Sequence, residues 1–250
     1  MYGMRGMLLA LLLLAFGQGA LAEDKVIRLT SLEWPPYSGA KLDQEGASVA
    51  VVRAAVEAMG YKLEVKFFPW NRAVALAKDP NGGFHGYFPE YYSDEIAKEW
   101  VFSDPIGTGP LGFVEPTAAP VAWASLADLK DKTIGTVDGY VNTAEFDAMA
   151  ASGALKVEPV VDDATNVKKV AAGRVPLAVI DRNVLNYLLA NDPSLAAARG
   201  KVQFNARLLE DKALYVALQR SPKGEEAARV INEGLKKIDV KAITGRYFNQ

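Results

Sequence analysis

Two periodicities follow one another closely near the start of this chain, and together they constrain its fold more than any other feature. Val49, Val52, Val56 and Met59 are spaced 3, 4 and 3 apart. That is the buried stripe of a helix over 47–59, and Gly60 ends it. Tyr61, Leu63, Val65 and Phe67 then alternate with Lys62, Glu64 and Lys66, the period of two expected of a strand. A short β-rich run at 26–30 precedes the helix. Strand, helix and strand in so short a stretch form a βαβ unit, which predicts a parallel sheet at that point and an α/β fold.

The rest of the chain continues in the same manner. Pro69 opens a short helix through 77, a position proline tolerates because the first-turn N–H has no helical partner. Residues 84–88 read as a strand, and Ser93 as the N-cap of a small helix. The stretch 108–120 is rich in glycine, proline and small residues, with only 111–114 extended and apolar; it is the predicted domain boundary. A second α/β series follows, with strands at 133–137, 157–161 and 176–180. Its helices start near Thr143, run over 163–172 to Gly173, and follow Asp181 with Val184, Leu185, Leu188 and Leu189. Further strands are predicted at 202–204 and 214–218. Ser221-Pro222 caps a final helix whose stripe is Ile231, Leu235 and Ile238. The two α/β units share an element order.

Composition removes several functions. Lys+Arg number 28 and Asp+Glu 30, a net charge of −2, so no basic excess exists to neutralise phosphates and nucleic acid is excluded as a main partner. Cysteine is absent, which eliminates disulfides, thiolate metal sites, a cysteine nucleophile and a lipoprotein anchor. A Ser-His-Asp triad would have to use His85, the single histidine, and no serine elbow or acidic partner surrounds it in sequence.

The first 22 residues read as a secretory signal rather than as part of the fold. Arg5 gives a positive start, 7–16 is a ten-residue apolar run, and Ala20-Leu21-Ala22 supplies small residues for cleavage after Ala22. Ten helical residues cover about half of a ~30 Å bilayer core, too little for a membrane anchor. An exported chain without disulfides fits a bacterial periplasm.

Six segments carry a resemblance to a known family. They are Trp34-Pro35-Pro36-Tyr37, Pro69-Trp70-Asn71-Arg72-Ala73, Phe102-Ser103-Asp104-Pro105-Ile106, Ala127-Asp128-Leu129-Lys130-Asp131-Lys132-Thr133-Ile134-Gly135, Ala172-Gly173-Arg174-Val175 ahead of Asp181, and the signal peptide. In this order and spacing the chain resembles the bacterial extracellular solute-binding proteins of the polar amino acid type, family 3, over 25–248. The resemblance implies a two-lobed periplasmic binding protein type II fold with two hinge strands. Lobe 1 would be 23–112 and 214–250, and lobe 2 would be 117–208. It also implies capture of a small polar metabolite for a membrane ABC permease, without cofactor, metal or catalysis, by a chain expected to be a monomer. The same fold resembles cyclohexadienyl dehydratases, for which Glu90 is the one acid to name, and ligand-sensing subunits.

The residues that could hold a ligand follow from this. Trp34 and Tyr37, rigid beside two prolines, read as an aromatic wall of the cleft or as a loop packed on its own core. Trp70 would supply a second aromatic. Arg72 suits a bidentate pair with a carboxylate or a solvated helix face. Tyr87, Glu90 and Tyr91 follow the strand that would face the cleft, where tyrosines could stack on a planar ligand. The family's carboxylate-binding arginine falls at Ile96, which cannot bind a carboxylate. Gly139, Asn142 and Thr143 lead into a helix N-terminus suited to an anionic group. Asp181 is the resemblance's ammonium-binding position; by its own place it is an N-cap.

Overall fold

A computed structural model describes residues 25–248; the signal-peptide segment lies outside the described residues. Strands β1 (Val26–Ser31), β2 (Lys62–Phe67) and β3 (Gly86–Tyr91) alternate with helices α1 (Ala47–Glu57) and α2 (Trp70–Lys78). Helix α3 (Asp94–Glu99) and the short β4 (Trp100–Phe102) lead into the long β5 (Gly107–Pro116). A second series runs β6 (Thr133–Val137), α4 (Ala144–Ala151), β7 (Lys156–Val160), α5 (Asp163–Ala171), β8 (Leu177–Asp181) and α6 (Arg182–Asn191). The chain returns through β9 (Val202–Phe204) and β10 (Glu210–Gln219) to α7 (Pro222–Leu235) and α8 (Val240–Phe248).

The strand order is β2-β1-β3-β10-β5-β8-β6-β7. β1 pairs parallel with β2 and β3, and β6 pairs parallel with β7 and β8. The predicted βαβ unit is therefore present, and each half of the molecule contains a parallel three-stranded group. The two groups meet only through β5 and β10, which pair antiparallel with each other over Glu210↔Leu111 to Leu214↔Gly107. β5 continues into the second half by pairing with β8 over Leu111↔Asp181 to Val114↔Ala178. β10 continues into the first half beside β3 and β4. Val49, Val52 and Val56 are fully buried on α1, which packs on α7, α8 and β2.

Three local expectations need correction. The strand expected at 111–114 is longer, because 107–116 is one continuous strand. Its glycines are there to make room. A Cβ on Gly109 would run into the Asp181 carboxylate and the Tyr37 hydroxyl, and one on Gly112 would meet the Phe204 ring. Glycine in a strand often marks such a close approach rather than a turn. Second, the strand placed at 84–88 occupies Gly86–Tyr91 and passes through Pro89. The register between β3 and β10 slips between Tyr215 and Ala217, opposite Phe88-Pro89, and a bulge is where a residue without an N–H fits a ladder. Glu90 and Tyr91 thus lie on the strand, not after it. Third, the last helix is two. α8 has no fully buried residue, but Val240, Ile243 and Phe248 pack partly buried against the core, and the Phe248 ring lies 5.1 Å from that of Tyr37.

Gly109→Ala is expected to destabilise the protein by about 1–3 kcal/mol through overpacking, read as a lowered midpoint in urea unfolding. An unchanged midpoint would show that β5 can shift to admit a methyl group.

Candidate functional site

The first-half side chains are placed by backbone contacts near helix ends. The N–H groups of Ala47 and Ser48, unpaired within α1, donate to the Pro36 and Tyr37 carbonyls at 2.9 and 2.8 Å. Gly46, at φ +101°, lies so close to the Tyr37 carbonyl that no Cβ fits. This pins the aromatic loop to α1. Trp34 stacks on Tyr37 at 4.6 Å and meets Tyr91 edge-on at 6.0 Å. Trp70, the first residue of α2, sits edge-on to Tyr87 at 5.4 Å and to Tyr140 at 5.7 Å. All of these but the half-buried Tyr140 are buried.

These residues also reach the second half. Trp34 Nε1 donates to Asp163 Oδ2 at 3.1 Å, Trp70 Nε1 to the Gly139 carbonyl at 2.9 Å, and Asn71 Nδ2 to Asp138 Oδ2 at 2.7 Å. Tyr37 donates its hydroxyl proton to Asp181 Oδ2 at 3.0 Å and accepts from Asn183 Nδ2 at 2.8 Å. Trp34, Trp70, Glu90 and Tyr91 line one cavity together, and Tyr87 and Gly139 line a second with Trp70 and Glu90; Tyr37 joins Asp181 and stacks on Trp34. Other named residues are turned to different work. Arg72 is exposed, its guanidinium 5.2 Å over the Phe68 ring. Asn142 donates its N–H and its Nδ2 to the Asp147 carboxylate, and Thr143 Oγ1 caps α4 by accepting from Phe146 N–H. Asp181 Oδ1 caps α6 by accepting from Asn183 and Val184 N–H. His85 Nδ1 accepts from Arg28 N–H at 3.0 Å, a structural role. Sequence reasoning missed Asp163, Tyr140 and Lys212. Asp163 looked like nothing more than a first-turn acid, and no local signal marks it.

Glu90 is the centre of the arrangement. It is 4% exposed, and it accepts from the Tyr87 hydroxyl at Oε2 (3.0 Å) and from Tyr91 N–H at Oε1 (2.8 Å). Glu90 helps line a cavity of about 20 Å³ with Trp34, Trp70, Tyr91, Tyr140 and Val141. Two larger cavities adjoin it. One of about 500 Å³ shares Trp70 and Glu90, and one of about 890 Å³ shares Tyr140 and Val141 and extends to β10 and α4. Burial pushes the Glu90 carboxyl up to about 8, against the lowering effect of its two hydrogen bonds and of Lys212. Burial likewise lifts Asp163 and Asp181 to about 7. Among the described residues no group of three or more histidines and carboxylates is placed to hold a metal ion, and no helix is long and apolar enough to cross a membrane.

No protein-family model matches this chain, and no curated protein matches its sequence. Solved structures do match. An ancestral arginine-binding protein bound to arginine aligns with TM-score 0.72 over 90% of this chain and 98% of that one, at 19% identity. The GluR0 ligand-binding core from Nostoc punctiforme, in complex with L-glutamate, aligns with TM-score 0.69 over 90% and 100%, at 17% identity. The fold is that of the two-lobed periplasmic binding proteins. A histidine kinase sensor domain with similarity to periplasmic binding proteins shares it as well, with TM-score 0.74 over 89% and 96% at 20% identity. The hydrogen bonds described above run from the β1–β3 side of this fold to its β6–β8 side.

The three raised carboxyls make stability depend on pH. Each holds its proton in the folded state over a range where the unfolded chain has lost it, so stability from this source is complete below about pH 4 and is lost as pH rises through about 7–8. The melting temperature is expected to fall between about pH 5 and pH 8.5, and to fall less steeply above pH 7 in Glu90→Gln. A flat or rising profile would contradict the burial of these groups.

Proposed function

We propose that this chain is a periplasmic solute-binding protein, exported with loss of its signal peptide after Ala22, that captures a small polar metabolite between two lobes and delivers it to a membrane ABC importer. The lobes are 23–112 with 214–250, and 117–208, and the chain acts as a monomer. Trp34, Tyr37, Trp70, Tyr87, Glu90, Tyr91, Gly139 and Asp181 form the binding cleft. The observation that carries this reading is the set of hydrogen bonds from Trp34, Tyr37, Trp70 and Asn71 on one side of the cleft to Asp163, Asp181, Gly139 and Asp138 on the other. They are the contacts of two surfaces that close on each other. With β5 and β10 as the crossing strands, bending at two points opens the cleft without unpicking either sheet. A ligand touching both lobes favours the closed form by as much as it binds that form better.

Calorimetric titration with polar solutes, with small-angle scattering before and after saturation, tests this. The expected result is a smaller radius of gyration on binding, with stability raised by about 2.7 kcal/mol at a hundredfold excess over Kd. A tight solute that leaves the radius unchanged would remove the hinge mechanism.

One observation favours a second reading, that of a lyase resembling cyclohexadienyl dehydratases. A carboxyl kept protonated near neutral pH by burial is what a general acid requires, and Glu90 is such a group. Loss of prephenate or arogenate with the purified protein, abolished in Glu90→Gln, would support it; no turnover would dismiss it.

A further inference from the structure

We propose that the cleft recognises a primary ammonium group on a solute that has no carboxylate beside it, the ammonium seated against Glu90 within the walls of Trp34, Trp70, Tyr91 and Tyr140. This rests on the solute-binding reading and narrows it to one chemical class.

The cavity of about 20 Å³ between Trp34, Trp70, Glu90, Tyr91 and Tyr140 has room for a water-sized group, such as an –NH₃⁺ head. The larger cavities that share its walls give the remainder of a chain-like molecule a way out, past Tyr140 and Val141 or past Trp70. Aromatic faces and a carboxylate are the surroundings a desolvated organic cation prefers. Glu90 uses one oxygen for the Tyr87 hydroxyl and the other for Tyr91 N–H, so each keeps a lone pair for a further donor. Tyr91, on the same wall, has a buried hydroxyl with no hydrogen-bond partner, an oxygen left over for a donor.

The cleft offers little to an anion. Of the residues lining these three cavities, Lys212 is the one basic side chain, and it lies 5.4 Å over the Tyr91 ring and 3.6 Å from Glu210. Ile96 lines both larger cavities. Arg72 and Arg182 lie over Phe68 and Phe204. The second-lobe helix N-termini, the other sites for an anion, are capped from within. Thr143 caps α4, and the carboxylates of Asp162 and Asp181 cap α5 and α6. Lys212, already shared with Glu210 and the Tyr91 ring, is the one cation lining these cavities that a ligand carboxylate could reach, and a buried carboxylate with no better partner is unfavourable.

Calorimetry on the wild-type protein with cadaverine and agmatine, against lysine and arginine, compares each amine with the same molecule bearing a carboxylate. The amines are expected to bind at least about tenfold more tightly, and Glu90→Gln to weaken them by about tenfold or more. Titrations near pH 7 in two buffers of different ionisation enthalpy should detect proton release on amine binding by wild type and none by Glu90→Gln, whose melting curve verifies that it folds. Lysine or arginine binding as tightly as its amine partner would overturn the proposal. So would closure on an acidic or neutral solute alone, which would leave the solute-binding reading standing. Failure to close on any solute would remove both.

Discussion

The Tyr37 hydroxyl lies between the Asp181 carboxylate and the Asn183 amide, and the two lobes are keyed to each other at that point. Much of the nearby structure follows from it. β5 carries Gly109 because a side chain there would occupy the space of this pair. α1 begins where its free N–H groups hold the Pro36 and Tyr37 carbonyls. α6 begins where Asp181, spending its other oxygen, caps it. One carboxylate thus ends a strand, starts a helix and receives a hydroxyl from the opposite lobe. Removing a partner from so buried a group costs the full desolvation of what remains.

The electrostatics of the cleft follow from the same economy of donors. Glu90, Asp163 and Asp181 are buried, and the donors that reach them are neutral: a tyrosine hydroxyl, an indole N–H and backbone amides. Neutral donors lower a carboxyl's pKa only in part, and burial outweighs them at all three positions. Such groups are protonated or in want of a cation. That property differs from that of a cleft built around an arginine, and Ile96 stands where the resemblance places that arginine.

The elements themselves were largely legible. Helix stripes, alternating strands, Ser93 and Ser221 as caps, and the N-cap position of Asp181 all come from the spacing of residue types within a few positions of each other, which local backbone geometry enforces wherever the segment ends up. The misreadings share one cause. Glycine and proline at 107–116 and Pro89 in β3 looked like punctuation because their justification is a neighbour from elsewhere: Asp181 and Tyr37 beside Gly109, the Phe204 ring beside Gly112, the shifted register of β10 beside Pro89.

By itself, then, the sequence determined the α/β class and the doubled strand-and-helix series, since these depend on composition and short-range periodicity. Only the tertiary structure decided which residues meet. Trp34 and Asp163 are 129 positions apart, and Tyr37 and Asp181 are 144. No local rule pairs them; β5 and β10 bring them together by joining the two lobes through one antiparallel ladder.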